Sequence, residues 1–452
     1  MVYGRMTKAL SSPRVFLGRI WNQFRASWVL RDVTLLTLGG AAGHIFAFSV
    51  SPILARLYEP ADFGMLAMFT GFLGLVAGIA CLRYDLAIPA AGDQRSASGL
   101  LLISLVATAL VSLISAVVLW IGFPIIETGF GLNRAQVFWL LPVAVAAVGS
   151  YMAMSAYATR CLWYRELSYT RVIQGVSFAV SGVVFGLLSL GSFGLVIAQT
   201  MRHAAGTLRL VRLAFASVTN ALAHLEAKEL VRLAHRWRRF PTRLVPAGLL
   251  NIASLQMPAL AIPWLYDLQT AGQFGLVQMT LLAPAGFLTQ SLGRVFTGHV
   301  AIRLRKAVPL AARLTLWMHM LTVPPAVALA VALIVWAPDV YPGVFGSSWG
   351  QAGVFAAIFA PAVAAGLASS PVSQLPTLTG YTDWQLLWDV LRFGILAAGV
   401  GYSATADLSV AVFLTFVAVV YALFYLMHLA LVWWILYHGV PRGEALHIDG
   451  IS

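Results

Sequence analysis

The sequence predicts an all-α polytopic membrane protein with about twelve transmembrane helices arranged as two sets of six. Three observations carry this reading. Of 452 residues, 60% are hydrophobic and 10% charged, whereas a soluble domain carries about 25% charged residues. Apolar runs of about 20 residues recur along the chain, each long enough to cross a hydrocarbon core roughly 30 Å thick. The alternating segments of about 10 residues that mark a membrane β-barrel are absent.

The chain opens with a basic segment, 1–32, too long for a standard signal peptide and kept with the mature protein. Within it Phe16, Ile20, Phe24 and Trp28 recur every four residues, as an interfacial helix on the inner leaflet requires; a solvated basic face is the other reading. Spans follow at 33–54, 64–82, 99–121, 136–158, 172–190 and 192–215, forming a first bundle over 33–215. The sixth is the least apolar, since Arg202, His203 and Arg209 interrupt it. A basic stretch, 216–240, with Leu222, Leu225, Leu233 and Trp237 in a looser stripe, reads as a cytoplasmic linker. The second bundle, 241–437, holds spans at 241–266, 273–292, 314–337, 351–371, 384–403 and 408–437, and a tail follows over 438–452.

Charge fixes the orientation. With the amino terminus inside, only Arg56 and Arg134 of the 29 Lys and Arg residues lie outside and Arg392 lies within a span, the asymmetry that retains basic loops in the cytoplasm. Both termini are then cytoplasmic, and the net charge of +13 needs no nucleic-acid partner. Cys81 and Cys161, the only cysteines, fall near the cytoplasmic face, which argues against a structural disulfide and leaves no CxxC metal spacing. No cofactor, metal site or catalytic residue is expected. External connections are short, so the chemistry belongs inside the bundle.

The two halves echo one another. FGMLAMFTGFLGLVAGIACLR (63–83) matches FGLVQMTLLAPAGFLTQSLGR (274–294) in running from Phe-Gly to Arg, and SPILARLY (51–58) has a looser counterpart in MPALAIPWLY (257–266). Each half is expected to carry a proline-broken helix, a turn, Phe-Gly, and a helix ending at arginine. Interrupted helices at matching positions point to a central site between repeats; spans one and seven run the same way, so the repeats are parallel. Pro52, Pro258 and Pro263 are the expected breaks. In RLYEPADFG (56–64) Pro60 turns the chain, Asp62 caps the second span, and Arg56 reaches Glu59 or outer-leaflet phosphate.

These residues carry a family resemblance. SPILARLYEPADFG (51–64), LRYDLAIP (82–89), FPTRLVPAGLLNIASLQMPAL (240–260), GQFGLVQMTLLAPAGFLTQSLGRVF (272–296) and FGSSWGQAG (345–353) together resemble the bacterial oligosaccharide flippases, the Wzx-like branch of the multidrug/oligosaccharidyl-lipid/polysaccharide (MOP) exporter superfamily, over about residues 30–400. The resemblance implies a V-shaped, MATE-like pair of six-helix bundles that alternate access across the bacterial inner membrane. It implies a non-enzymatic protein that moves undecaprenyl-pyrophosphate-linked oligosaccharide repeat units to the periplasmic leaflet for O-antigen, capsule or exopolysaccharide. A polysaccharide polymerase and a chain-length regulator are the implied partners, besides the lipid bilayer.

A pyrophosphate in transit needs cations, and arginine's planar fork donates two hydrogen bonds to phosphate oxygens. The repeat pairs Arg83 with Arg294, either as phosphate ligands or as anchors snorkelling to water. His44 lies mid-span, as a proton site or a packed residue. Arg202 and Arg209, seven residues apart, share a helix face; they line the inner cavity unless the helix ends early. Asn251, Ser254 and Gln256 offer hydrogen bonds to sugar hydroxyls or to neighbouring helices, while Asp389 and Arg392 are placed to pair with each other. His319 and His428 have no evident partner. A cation-coupled multidrug antiporter of the same superfamily would want buried acids, and a membrane polymerase or ligase would want a long external loop. The sequence offers neither beyond Asp389.

Overall fold

The computed structural model describes residues 48–306, 308–379 and 381–438, together with 40, 43, 45 and 46. The segment 1–32, most of the start of span one including His44, and the tail from 439 lie outside the described residues. The described chain is helical, with no strand. Its helices are α1 (Phe48–Leu57), α2 (Pro60–Ala77), α3 (Gln94–Phe130), α4 (Leu141–Arg160), α5 (Tyr164–Leu187), α6 (Gly191–His224), α7 (Ala227–Arg236), α8 (Val245–Leu265), α9 (Leu268–Val277), α10 (Ala283–Lys306), α11 (Val308–Phe345), α12 (Gly350–Ser369), α13 (Thr382–Ala406) and α14 (Val410–His438). Among the described residues ten segments are long and apolar enough to cross a membrane, against the twelve expected: α9 and α10 count as one through a π-turn at Gln278–Leu282, α6 is not among them, and α1 is only the described end of span one. The 34-residue α6 continues unbroken past Arg202 and Arg209, so the helix does not end early. Trp120, Ile121 and Ile125 on α3 are 71%, 67% and 77% exposed, the surface of a helix whose solvent is lipid.

Successive long helices reverse direction, giving the molecule two ends. One, the basic end, holds Arg83, Arg95, Arg160, Arg165 and the cations of α7; among the described residues the far end holds only Arg56 and Arg134. Helices up to α6 pack chiefly among themselves, as do those from α8 onward, and α2 crosses to pack on α8 and α9. Against α8 it presents Gly71, Gly74 and Gly78 to Leu260, Gln256 and Ile252. That antiparallel register lets the backbones approach closely, as small residues do between membrane helices.

Pro52, Pro258 and Pro263 do not break these helices, and at Pro52 and Pro258 a hydroxyl answers the freed carbonyl. Pro52 cannot donate to the Phe48 carbonyl, and the Ser51 hydroxyl does so at 2.6 Å. Pro258 leaves the Ser254 carbonyl unpaired, and the Tyr421 hydroxyl donates to it at 2.7 Å. The echo between the halves also diverges at its end. α2 stops at Ala77 and unwinds through left-handed Leu82 and Arg83 into a 3₁₀ turn at Tyr84–Ala90. Its counterpart runs through the π-turn and past Arg294 to Lys306. The second helix therefore does not end at its arginine.

At the far end α2 and α9 lie parallel with their first turns in backbone contact. A Cβ on Gly64 would overlap the Leu268 carbonyl oxygen, and one on Gly272 would overlap that of Pro60. Beside this seam Trp349 Nε1 donates to the Ala55 carbonyl at 2.9 Å and packs edge-on against Phe63, with ring centroids 5.0 Å apart. Arg56 donates to the Val344 carbonyl at 3.1 Å rather than to Glu59, and Asp62 accepts from the Glu59 N–H at 3.2 Å as the helix cap. Gln273 ties α9 to α12, donating to Ser348 O at 2.7 Å and accepting from the Ala352 N–H at 2.9 Å.

At the basic end the linker helix α7 docks on the start of α3. Leu225, Leu230 and Leu233 meet α3 at Gly99, Arg95 pairs with Glu229 at 2.7 Å, and Tyr84 donates to the Ala234 carbonyl at 3.2 Å. The Arg95 guanidinium holds the Glu229 carboxyl below its ordinary range.

Candidate substrate cavity

Between the two helix groups lies a cavity of about 510 Å³. The first group contributes Phe63, Thr70, Phe178, Gln199 and Arg202, and the second contributes Gln256, Gln278, Phe359, Tyr421 and Tyr425. Phe63 and Gly275 bring its wall to the far-end seam. Two further cavities continue it toward the basic end. One, of about 190 Å³, shares Arg202 and is lined by Tyr151, Arg171, Gln174, Gln290, Ser291 and Arg294. The other, of about 560 Å³, shares Gly286, Thr289 and Ser370 with the first and Gln290 and Arg294 with the second, and reaches Thr297 and Gln374.

Three helices bring arginines to the smaller cavity: Arg171 from the third turn of α5, Arg202 from α6 and Arg294 from α10. Arg202 lies eleven residues into α6, about 16 Å along its axis at 1.5 Å per residue, near mid-depth of a hydrocarbon core. Its guanidinium sits over the Phe178 ring at 5.9 Å, and its Nε has no hydrogen-bond partner among the described residues. The Gln174 side chain is 8% exposed, and its Nε2 likewise has none. Arg171 and Arg294 are close enough to feel each other's charge. A Cβ on Gly40 would stand 2.9 Å from Arg171 Nη1 and 2.5 Å from Phe287, so span one passes directly beside this cluster. No Asp or Glu lines any of the three cavities among the described residues. The unmet donors of Arg202 and Gln174, in a lining that holds no acid among the described residues, make a surface complementary to an acceptor-rich anion.

Of the residues singled out from the sequence, Arg202, Arg294 and Gln256 line this cavity system, Gln256 also donating to the Thr70 carbonyl at 3.2 Å. Arg83 does not join Arg294. Its guanidinium packs against Gly248 at the start of α8, on the basic side of the junction between groups. There burial pushes the neighbouring Asp85 carboxyl up from its ordinary value while Arg83 opposes that shift. Arg209 is held by Glu166 at 2.6 Å and lies over Tyr169 at 5.1 Å, outside the cavity. Asn251 accepts from Arg392 at 2.6 Å, and Arg392 also pairs with Asp389 at 3.1 Å, both residues of that pair being buried. Arg171 falls just outside the expected fifth span, 172–190, and Gln174 lies inside it as a polar residue with no motif around it. α5 begins at Tyr164, which turns Arg171, Gln174 and Phe178 into one helical stripe at spacings of three and four.

No metal-binding group of His, Cys, Asp or Glu occurs among the described residues. The fold is that of the MOP transporters. A multidrug resistance MATE family transporter of the MOP superfamily in its inward-facing conformation superposes with a TM-score of 0.63, at 13% identity over 91% of this chain and 96% of that one. A MOP superfamily transporter from Pyrococcus furiosus, described as having a binding pocket of reverse polarity, gives 0.53 at 12% identity over 90% and 93%. A MATE transporter in complex with MaL6 gives 0.53 at 13% identity over 90% and 96%. No curated protein matches the chain. The sequence profile of the polysaccharide biosynthesis protein family matches residues 53–353, and the chain belongs to that family.

Proposed function

We propose that the protein is a flippase for undecaprenyl-pyrophosphate-linked oligosaccharide repeat units, working in the bacterial inner membrane with its basic end in the cytoplasm. The observation that carries this reading is the meeting of Arg171, Arg202 and Arg294 in one cavity between the helix groups, lined by no Asp or Glu among the described residues. A sugar hydroxyl moved into hydrocarbon without a partner costs about 2–7 kcal/mol, so an unassisted head group crosses very slowly. Guanidinium forks take the pyrophosphate oxygens, amide and hydroxyl groups replace water around the sugars, and the polyprenyl tail stays in lipid. The two groups, 33–215 and 241–437 joined by the linker 216–240, rock about this site to expose it at each end in turn.

The membrane potential helps in the same direction. An anionic head moving outward gains about 2.3 kcal/mol per charge per 100 mV, and fixed arginines bind it without travelling. A multidrug cation antiporter, the competing function in this fold, is disfavoured by the cavity's sign. Deletion in a host that makes surface polysaccharide should accumulate lipid-linked repeat units on the cytoplasmic leaflet, restored by the wild-type chain and not by Arg202→Ala with Arg294→Ala. Intact surface polysaccharide together with new sensitivity to cationic drugs would refute the reading.

A further inference from the structure

The cavity system is divided by charge, and the division selects among glycans. Among the described residues all of its cations line the smallest cavity, with Arg202 at the boundary and Arg294 extending toward the basic end. Beyond Arg202, toward the far-end seam, the 510 Å³ cavity has among the described residues no other ionisable group than the phenols of Tyr421 and Tyr425. Tyr421 spends its hydroxyl on the Ser254 carbonyl. The amides of Gln199 and Gln278 open into this space with no hydrogen-bond partner among the described residues, and the Phe178 and Phe359 rings form apolar wall beside them. An amide offers both donors and an acceptor, which matches the paired donor and acceptor character of neighbouring hydroxyls on a sugar ring. Aromatic faces cover the apolar C–H face of the same ring.

Resting on the flippase reading, we infer that the transported glycan is neutral, and that it is held with its sugars toward the far-end seam and its pyrophosphate toward the basic end. A uronic acid or sulfated sugar in the seam-side cavity of 510 Å³ would be an anion with no cation to meet it among the described residues, because Arg202 is already committed to the pyrophosphate. An unpaired charge in a water-poor cavity is strongly disfavoured. The arrangement also orders the cycle. The sugars lie nearest the seam that must part, so the glycan leaves first and the pyrophosphate follows.

The test uses the full-length protein in nanodiscs and three probes: bare polyprenyl pyrophosphate, the same lipid carrying a neutral disaccharide, and the same lipid with a glucuronic acid replacing the outer sugar. Binding is measured by native mass spectrometry. The neutral glycolipid should bind at least about tenfold more tightly than the uronate, the difference expected for about one lost hydrogen bond or more. Gln199→Ala with Gln278→Ala should erase the neutral sugar's advantage over bare pyrophosphate while leaving bare pyrophosphate binding intact, which also reports that the variant is folded. Gln278→Lys should narrow the gap to the uronate. Equal or tighter binding of the uronate by the wild type, or an unchanged neutral advantage in the double variant, overturns the neutral-glycan inference alone. If none of the three probes binds, the flippase reading itself falls and this inference falls with it.

Discussion

Arg202 concentrates the chemistry of the site in one side chain. It is positioned near mid-depth, its Nε is unpartnered, and it belongs to both the large and the small cavity. A charged side chain at the centre of a membrane helix costs about 2.5–3.5 kcal/mol on insertion scales, a cost for which the described residues supply no acid in compensation. Replacing Arg202 by alanine should therefore reduce flipping in proteoliposomes by about tenfold to a hundredfold, the equivalent of one charged hydrogen-bonding group. Arg202→Lys should recover only part of the rate, since an ammonium keeps the charge without the fork. Arg209→Ala is the contrast: its partner is Glu166, so transport should stay within a few-fold of wild type. Wild-type transport in Arg202→Ala, or equal losses at both positions, would remove Arg202 from the site.

At the scale of elements, much of the fold was legible and the reason is periodic: spans are dictated by length and apolarity, and ten of the twelve expected return in order, whereas α6 is too polar to count and only the end of span one is described. What was not legible depends on how a helix ends. Nothing in LGRVF around Arg294 says that the helix runs on to Lys306, and nothing in CLRYD says that α2 has already unwound at Ala77. The proline positions were visible, but not the Ser51 and Tyr421 hydroxyls that repair them, because one partner lies 167 residues away. The linker illustrates the same limit. Its loose leucine stripe was readable, while its receptor, a single glycine at position 99 with Arg95 beside it, was not. Glu229 has an ordinary value of 4.5 and is lowered in the folded chain by Arg95. A lowered carboxyl stabilises docking above its unfolded value and loses that contribution as pH falls through the folded value. A spin label at exposed Val231 should thus gain mobility as the medium is acidified below the ordinary carboxylate range and through the lowered value of Glu229, and Glu229→Gln should show that mobility already at neutral pH. A label equally immobile in both would mean the leucines alone hold the helix.

For the molecule as a whole, the far-end seam decides whether the cavity is closed on that side. The echoed Phe-Gly pairs, 63–64 and 274–275, are where the two repeats meet in space, and their glycines serve closeness rather than turning. Gly64 and Gly272 lack a Cβ where the partner's backbone carbonyl stands, and Gly275 lacks one 3.1 Å from the Phe63 carbonyl. Backbone against backbone leaves no flexible side chain to give way, so any added atom must move a helix. Overpacking of this kind costs about 1–3 kcal/mol. If the protein samples a second state with the seam parted, that cost is borne by the closed state alone and shifts the ratio of states by roughly fivefold to 150-fold. Gly272→Ala should therefore populate the parted seam. In a chain with Cys81→Ala and Cys161→Ala, a probe cysteine made by Phe63→Cys is expected to react several-fold faster with a membrane-impermeant thiol reagent added from the far side when Gly272→Ala is also present. Net flipping should fall, because a transporter held open on the release side reloads slowly. Unchanged labelling with unchanged transport would show that α2 and α9 separate elsewhere, and that the close packing of the two repeats at this end serves folding alone.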